Sequence, residues 1–311
     1  MRPLVRVGSI LGVLLLSGCS INAIATRAVA RALSGGDEPS VFVTDNDPEL
    51  IADALPLALK IYDTLILERP EDAELLLAGG SAYISYANAF LQAPAGMLPP
   101  EEFEKRELLI RRAKNLYLRG RDYAIRGLEA RHPEAHGILE GDLDSVVAVV
   151  GKEDVPYLYW ISAGWLGAFS AEPFDMNLNA SVGRAATLIL RAYEVDPDFD
   201  DGAIDELLLS YYASVPEGLG GSRERATFHY ERAVGLADGK KASPHVSYAV
   251  SVLIPQQKLR EFRDKMDLAL AVDAEAYPEY RLVNTIKQRE AAWYLENLDR
   301  FFLVDLEEED A

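Results

Sequence analysis

From Pro48 onward, apolar residues recur three and four positions apart, and stretches of alternating β-branched residues are few. That period gathers apolar side chains onto one stripe of an α-helix, whereas a half-buried strand needs a period of two. The segments carrying it are 50–67, 73–91, 103–128, 183–195, 204–213, 223–236, 246–253, 259–272 and 284–302. Pro70, Pro133, Pro197 and Pro278 each follow such a segment by a few residues, where proline ends a helix. The expected fold is all-α, with little room for a sheet.

The helices also resemble one another. Similar helix ends start at Tyr62, Ile125, Leu190, Glu231 and Asp267, with spacings of 63, 65, 41 and 36 residues. The last two spacings lie near the tetratricopeptide period of about 34 residues, and the first two near its double. Small residues where paired helices touch, followed by a proline turn, write a helical hairpin. A stack of antiparallel helix pairs, a tetratricopeptide-like superhelix, is therefore expected.

Ahead of this body stands a different kind of segment. Arg2 and Arg6 precede an uncharged run over 7–18, which ends in Leu16-Ser17-Gly18-Cys19. The run falls short of the roughly 20 apolar residues a membrane span needs and fits a secretory leader. Small residues before the chain's one cysteine fit cleavage by a lipoprotein signal peptidase, leaving Cys19 as the acylated N-terminus. Ser20 stands where Asp would signal retention at the inner membrane, which points to the inner leaflet of the outer membrane. The expected organisation is a signal peptide over 1–18, a lipidated tether over 19–45, the helical domain over 46–303 and an acidic tail over 304–311.

Removing the leader takes Lys plus Arg from 31 to 29 while the 50 acids remain, moving the net charge from −19 to −21. So acidic a body is repelled by nucleic-acid phosphates and anionic headgroups, so no nucleic-acid partner is expected.

The least ordinary passage is 155–169, fifteen residues without a charge, opened by Asp154 as an N-cap with Pro156 in the first turn. A helix apolar on every side is buried all round. It serves as a central core helix, with Gly164 and Gly167 letting neighbours approach, or its aromatics line an apolar cavity. The two readings are compatible. On the second, Tyr157, Trp160, Trp165 and Phe169 are the candidate pore residues.

Other motifs read as structure. Pro216-Glu217-Gly218-Leu219-Gly220-Gly221-Ser222 lacks the lysine of a phosphate loop. Its glycines permit a left-handed turn, and Ser222 suits the N-cap of the helix that follows. His132-Pro133-Glu134-Ala135-His136 cannot form a zinc-protease helix with proline between its histidines. Isolated acidic residues are read as solvated surface. No catalytic constellation, metal site or cofactor site emerges.

The ordered set of features resembles TatT, the TRAP-transporter-associated T component, a family of periplasmic helical lipoproteins. The residues that carry the resemblance begin with the lipobox and Tyr117-Leu118-Arg119-Gly120-Arg121-Asp122-Tyr123, and continue through the aromatic stretch 157–169. The most specific run is Gly220-Gly221-Ser222, then Ala226, then His229-Tyr230-Glu231-Arg232-Ala233. Tyr248-Ala249, Arg260-Glu261-Phe262, Asn284 and Ala291-Ala292-Trp293-Tyr294-Leu295 complete it, over roughly residues 45 to 303. The resemblance implies a homotrimer that binds a TRAP-type periplasmic solute-binding protein. It also implies a hydrophobic pore in each protomer for a small apolar ligand, and no catalysis. The competing expectation is a helical-repeat scaffold lipoprotein for outer-membrane or envelope assembly. A scaffold needs only a packed core around 155–169, whereas a conduit needs a void there.

Overall fold

The computed structural model describes residues 39–135 and 137–303. The expected signal peptide over 1–18, the expected lipid-attachment residue Cys19 and its tether up to residue 38, His136 and the acidic tail 304–311 lie outside the described residues. Among the described residues there is no β-strand. The helices are α1 (Pro48–Glu68), α2 (Ala73–Ala87), α3 (Ala93–Met97), α4 (Phe103–Arg131), α5 (Leu143–Val149) and α6 (Val155–Ala171). They continue as α7 (Met176–Val195), α8 (Ala203–Ser214), α9 (Arg223–Ala237), α10 (Ser243–Tyr248), α11 (Leu259–Leu270) and α12 (Arg281–Glu296). Every segment with the helical period contains a helix, the last two helices ending before Val272 and Phe302, whereas α3, the short α5 and the first turns of α7 lie outside those segments.

Local chemistry sets the helix starts. Asp47, Asp72 and Asp175 accept backbone N–H bonds from Leu50 (3.0 Å), Leu75 (3.1 Å) and Asn177 (2.9 Å), which satisfies donors with no partner inside the helix. Ser222 caps α9 as expected, accepting from the Arg225 amide at 3.3 Å. Asp154 departs from expectation. It makes no side-chain cap on α6. Its carboxylate instead accepts from the Gly151 amide (2.9 Å) and from Arg131 Nε (2.8 Å), because a cation from α4 lies within reach.

Sequential helices pack as neighbours: α1 on α2, α2 on α4, α4 on α6 and α6 on α7. The second half repeats this, with α8 on α9, α9 on α10, α10 on α11 and α11 on α12. Small residues permit the closest approaches. A Cβ at Gly80 would lie 2.7 Å from the Gly120 carbonyl oxygen, so α2 and α4 touch backbone to backbone. On α6, a Cβ at Gly164 would meet the Tyr117 carbonyl at 2.9 Å, and one at Gly167 would meet the Tyr117 ring at 2.5 Å.

The stack also returns on itself. The last helix, α12, touches α1. The Leu282 amide donates to the Val43 carbonyl (3.0 Å), Arg281 to the Thr44 carbonyl (2.9 Å), and Arg289 pairs with Glu49 at 2.5 Å. The residues just before α1 are thereby fixed against α12.

Candidate functional site: an apolar cavity inside the superhelix

A cavity of about 700 Å³ lies inside this closed stack. Leu55, Ala58 and Tyr62 of α1 and Ala82 and Ile84 of α2 form one part of its wall. Leu207 and Tyr211 of α8 and Leu282 and Ile286 of α12 form another. Between them stands α6, contributing Tyr159, Trp160, Ala163, Leu166, Gly167 and Phe169. A π-helical turn over Asn88–Gln92 extends α2 and places Phe90 and Gln92 on the cavity. Single π turns widen a helix locally and often occur at functional sites.

The charge-free helix is thus enclosed by protein yet has one face on a void. Trp160 and Phe169 line the cavity. Tyr157 and Trp165 are not among its lining residues. Tyr157 is 3% exposed and packs its ring edge 2.8 Å from where a Gly127 Cβ would stand. Trp165 is 1% exposed, lies under the Arg121 guanidinium (4.8 Å to the ring centroid), and donates its indole N–H to Ser181 Oγ at 3.0 Å. The reason is helical phase. Residues 157, 161 and 165 share a face set among α4 and α7, whereas 160, 163 and 167 share the face toward the void; Phe169, one turn beyond Trp165, reaches the void from the border between the two faces.

Accessible lining residues come in two groups. Ser85, Asn88 and Ser170 are exposed at the carboxyl ends of α2 and α6, as is Ser214 at the end of α8. A hydrogen-bonded chain joins the first of these elements: Asn88 donates to Tyr117 Oη (3.2 Å), which donates to Gln92 (2.6 Å), whose amide donates to Ser170 (2.6 Å). The second group, Val43, Glu279 and Val283, is exposed where the residues before α1 meet the start of α12, and Asp200 is exposed on the lining as well.

The wall is not wholly apolar. Glu206, Lys241, Ser243 and Lys287 line the part formed by α8, α10 and α12. Burial pushes the Glu206 carboxyl above the ordinary carboxylate range, against the pull of Lys241, Ser243 and Lys287. In a chain whose Asp/Glu pairs are expected to be mostly solvated surface, Glu206 is an exception that lines the cavity. Nothing in its immediate run, Asp205-Glu206-Leu207-Leu208-Leu209, separates it from an ordinary amphipathic helix start.

The motif residues of α8 and α9 make a second polar cluster, away from the cavity wall. His229 Nδ1 meets Asp205 Oδ1 at 2.6 Å, with Arg232 Nε 3.4 Å from the same oxygen. Asp205 is 0% exposed, and the His229 ring stacks on Tyr212 at 5.5 Å. This network fastens α9 to α8. The glycines before it are structural: Gly220 has φ 103°, and a Cβ at Gly221 would fall 1.7 Å from the Val215 carbonyl oxygen. His132 Nε2 faces Asp154 at 3.0 Å, and no group of side chains suited to a metal ion occurs among the described residues.

Residues 44–302 match the model of a protein family described as TRAP transporter T-component. The chain belongs to that family. It is also 34% identical over 306 residues to an uncharacterised protein of Treponema pallidum (strain Nichols), a match covering 93% of this chain and 95% of the relative. Family membership associates the protein with a TRAP transporter, as an accessory component in the cell envelope. No helix among the described residues is long and apolar enough to cross a membrane.

Proposed function

We propose that this T-component protein is a non-enzymatic periplasmic lipoprotein, anchored through Cys19, that binds the transporter's solute-binding protein and passes a small apolar ligand through its interior. The observation that carries the reading is the cavity of about 700 Å³ on the void-facing side of α6. Pockets of this size, mostly apolar with a few placed polar groups, suit small ligands. Exposed lining residues on two sets of elements, the carboxyl ends of α2, α6 and α8 and the contact between the residues before α1 and α12, support passage rather than simple storage. A scaffold needs no void beside Trp160, so the cavity favours the conduit. Assembly as a homotrimer and anchorage in the outer membrane's inner leaflet belong to the same proposal.

The test is a fluorescence titration of the full chain with the apolar probe N-phenyl-1-naphthylamine. Ala163 lines the void, so Ala163→Trp projects an indole into it from the α6 face. We expect it to weaken probe binding about tenfold or more at unchanged thermal stability. Equal binding by the parent and the variant would refute the reading.

A further inference from the structure

We propose that the part of the cavity formed by α8, α10 and α12 is a head-group subsite for an amphipathic monocarboxylic acid, with Lys241 and Glu206 holding the carboxylate and the tail lying along α6. The inference rests on the conduit reading and adds the class of ligand.

Lys241 is the first reason. It is 5% exposed and lines the cavity. Its ammonium donates to the Asp200 carbonyl at 2.5 Å and sits 4.7 Å from the Tyr280 ring centroid. Among the described residues it forms no ion pair. Its neighbours differ: Lys240 pairs with Asp201 (2.8 Å) and Lys287 with Glu290 (2.7 Å). A buried ammonium facing a void and bonded to no carboxylate is costly unless something compensates it.

The surroundings are built and strained. Asp200 and Asp201 both have φ of 47°, a left-handed pair that non-glycine residues seldom adopt. Lys241 and Lys240 hold that turn at the cavity wall through the Asp200 carbonyl and the Asp201 carboxylate. Glu206, one turn into α8, lines the same space, as does Ser243. Its burial favours the protonated carboxyl, which is a donor as well as an acceptor. Asp200 and the exposed Glu279 are the other acids on this part of the lining.

These groups select a sign. A cationic head would meet Lys241 with like charge, and a neutral head would give that ammonium no carboxylate to bond. A carboxylate accepts from Lys241 and from protonated Glu206 together, while Tyr159, Trp160 and Phe169 take the tail.

The experiment compares cis-parinaric acid with its methyl ester, which share a tail, by fluorescence titration of the full chain. The acid is expected to bind about tenfold tighter, the size of one charge-assisted hydrogen bond. Lys241→Met should reduce the acid to the level of the ester and leave the ester unchanged. Equal affinity of acid and ester for the parent protein overturns the subsite while the apolar conduit stands. Failure of both ligands to bind, or indifference of both to Ala163→Trp, overturns the conduit and the subsite with it. Should Lys241→Met fail to fold, Glu206→Leu carries the same test: acid affinity falls several-fold with the ester unmoved, and an unmoved acid affinity overturns the subsite.

Discussion

His245, on α10, illustrates how single buried groups tie this fold to pH. Its Nδ1 lies 3.0 Å from Tyr230 Oη, and burial, helped by the nearby Lys265 ammonium, pushes its imidazole down to about 4. The folded protein therefore keeps this ring neutral, whereas the unfolded chain protonates it near the ordinary histidine value of about 6.5. Between those two values the unfolded state binds more protons, so stability falls as pH drops from 6.5 toward 4. After allowance for solvent screening, this amounts to about 1–2 kcal/mol. His245→Gln should flatten that limb of the stability profile. Urea unfolding midpoints measured from pH 4.5 to pH 7 check it, and an equal slope in the variant would count against the assignment. Residue identity was legible here only in part: a histidine is visible in the sequence, but its burial beside Tyr230 and Lys265 is not.

Among the elements, α6 was the most legible. Fifteen uncharged residues admitted no solvent-facing helix, and it is enclosed by α2, α4, α7 and α8. Its phase was not legible, because a helix without a polar face gives no sign of which side meets the void. Tyr157 and Trp165 thus went into packing, and Trp160 and Phe169 onto the cavity. The close approach of α2, α4 and α6 depends on residues without side chains. At Gly120 a Cβ would lie 2.6 Å from the Gly80 carbonyl oxygen and 2.6 Å from Ile84 Cγ1, so neither backbone nor side chain has room to yield. Gly120→Val is expected to cost about 3 kcal/mol through overpacking, read as a shift in the urea midpoint with an unchanged slope. A loss under 1 kcal/mol would mean that the two helices separate easily. The π turns over Asn88–Gln92 and Ala249–Leu253 had no sequence signal at all. Both segments read as plain continuations of a helical period.

For the molecule as a whole, the decisive feature is closure. Repeat proteins usually leave two free ends, each needing a polar cap. Here the residues before α1 lie against α12, and that contact walls one side of the cavity with Phe42, Val43 and Leu282. Arg281 is the clasp, since its guanidinium donates to the Thr44 carbonyl. Arg281→Ala should raise amide hydrogen exchange over residues 42–45 about tenfold while the helices of the core keep their protection. Unaltered exchange in that segment would show that other contacts hold it.

Legible in the chain alone were the all-α class, nearly all the long helices, the capping serine at 222, the glycine turn before it and the family. These follow from periodicity, backbone freedom and hydrogen-bonding reach within a few residues, all local properties of a chain. Tertiary structure alone decided that the stack closes, that a void remains within it, and that Glu206 and Lys241 face inward. Each of those depends on groups far apart in sequence coming together, as Lys241 does with Tyr280 and Arg281 with Thr44. A helical pattern records which face is apolar, and only the packing of all the helices records whether that face meets a neighbour or an empty space.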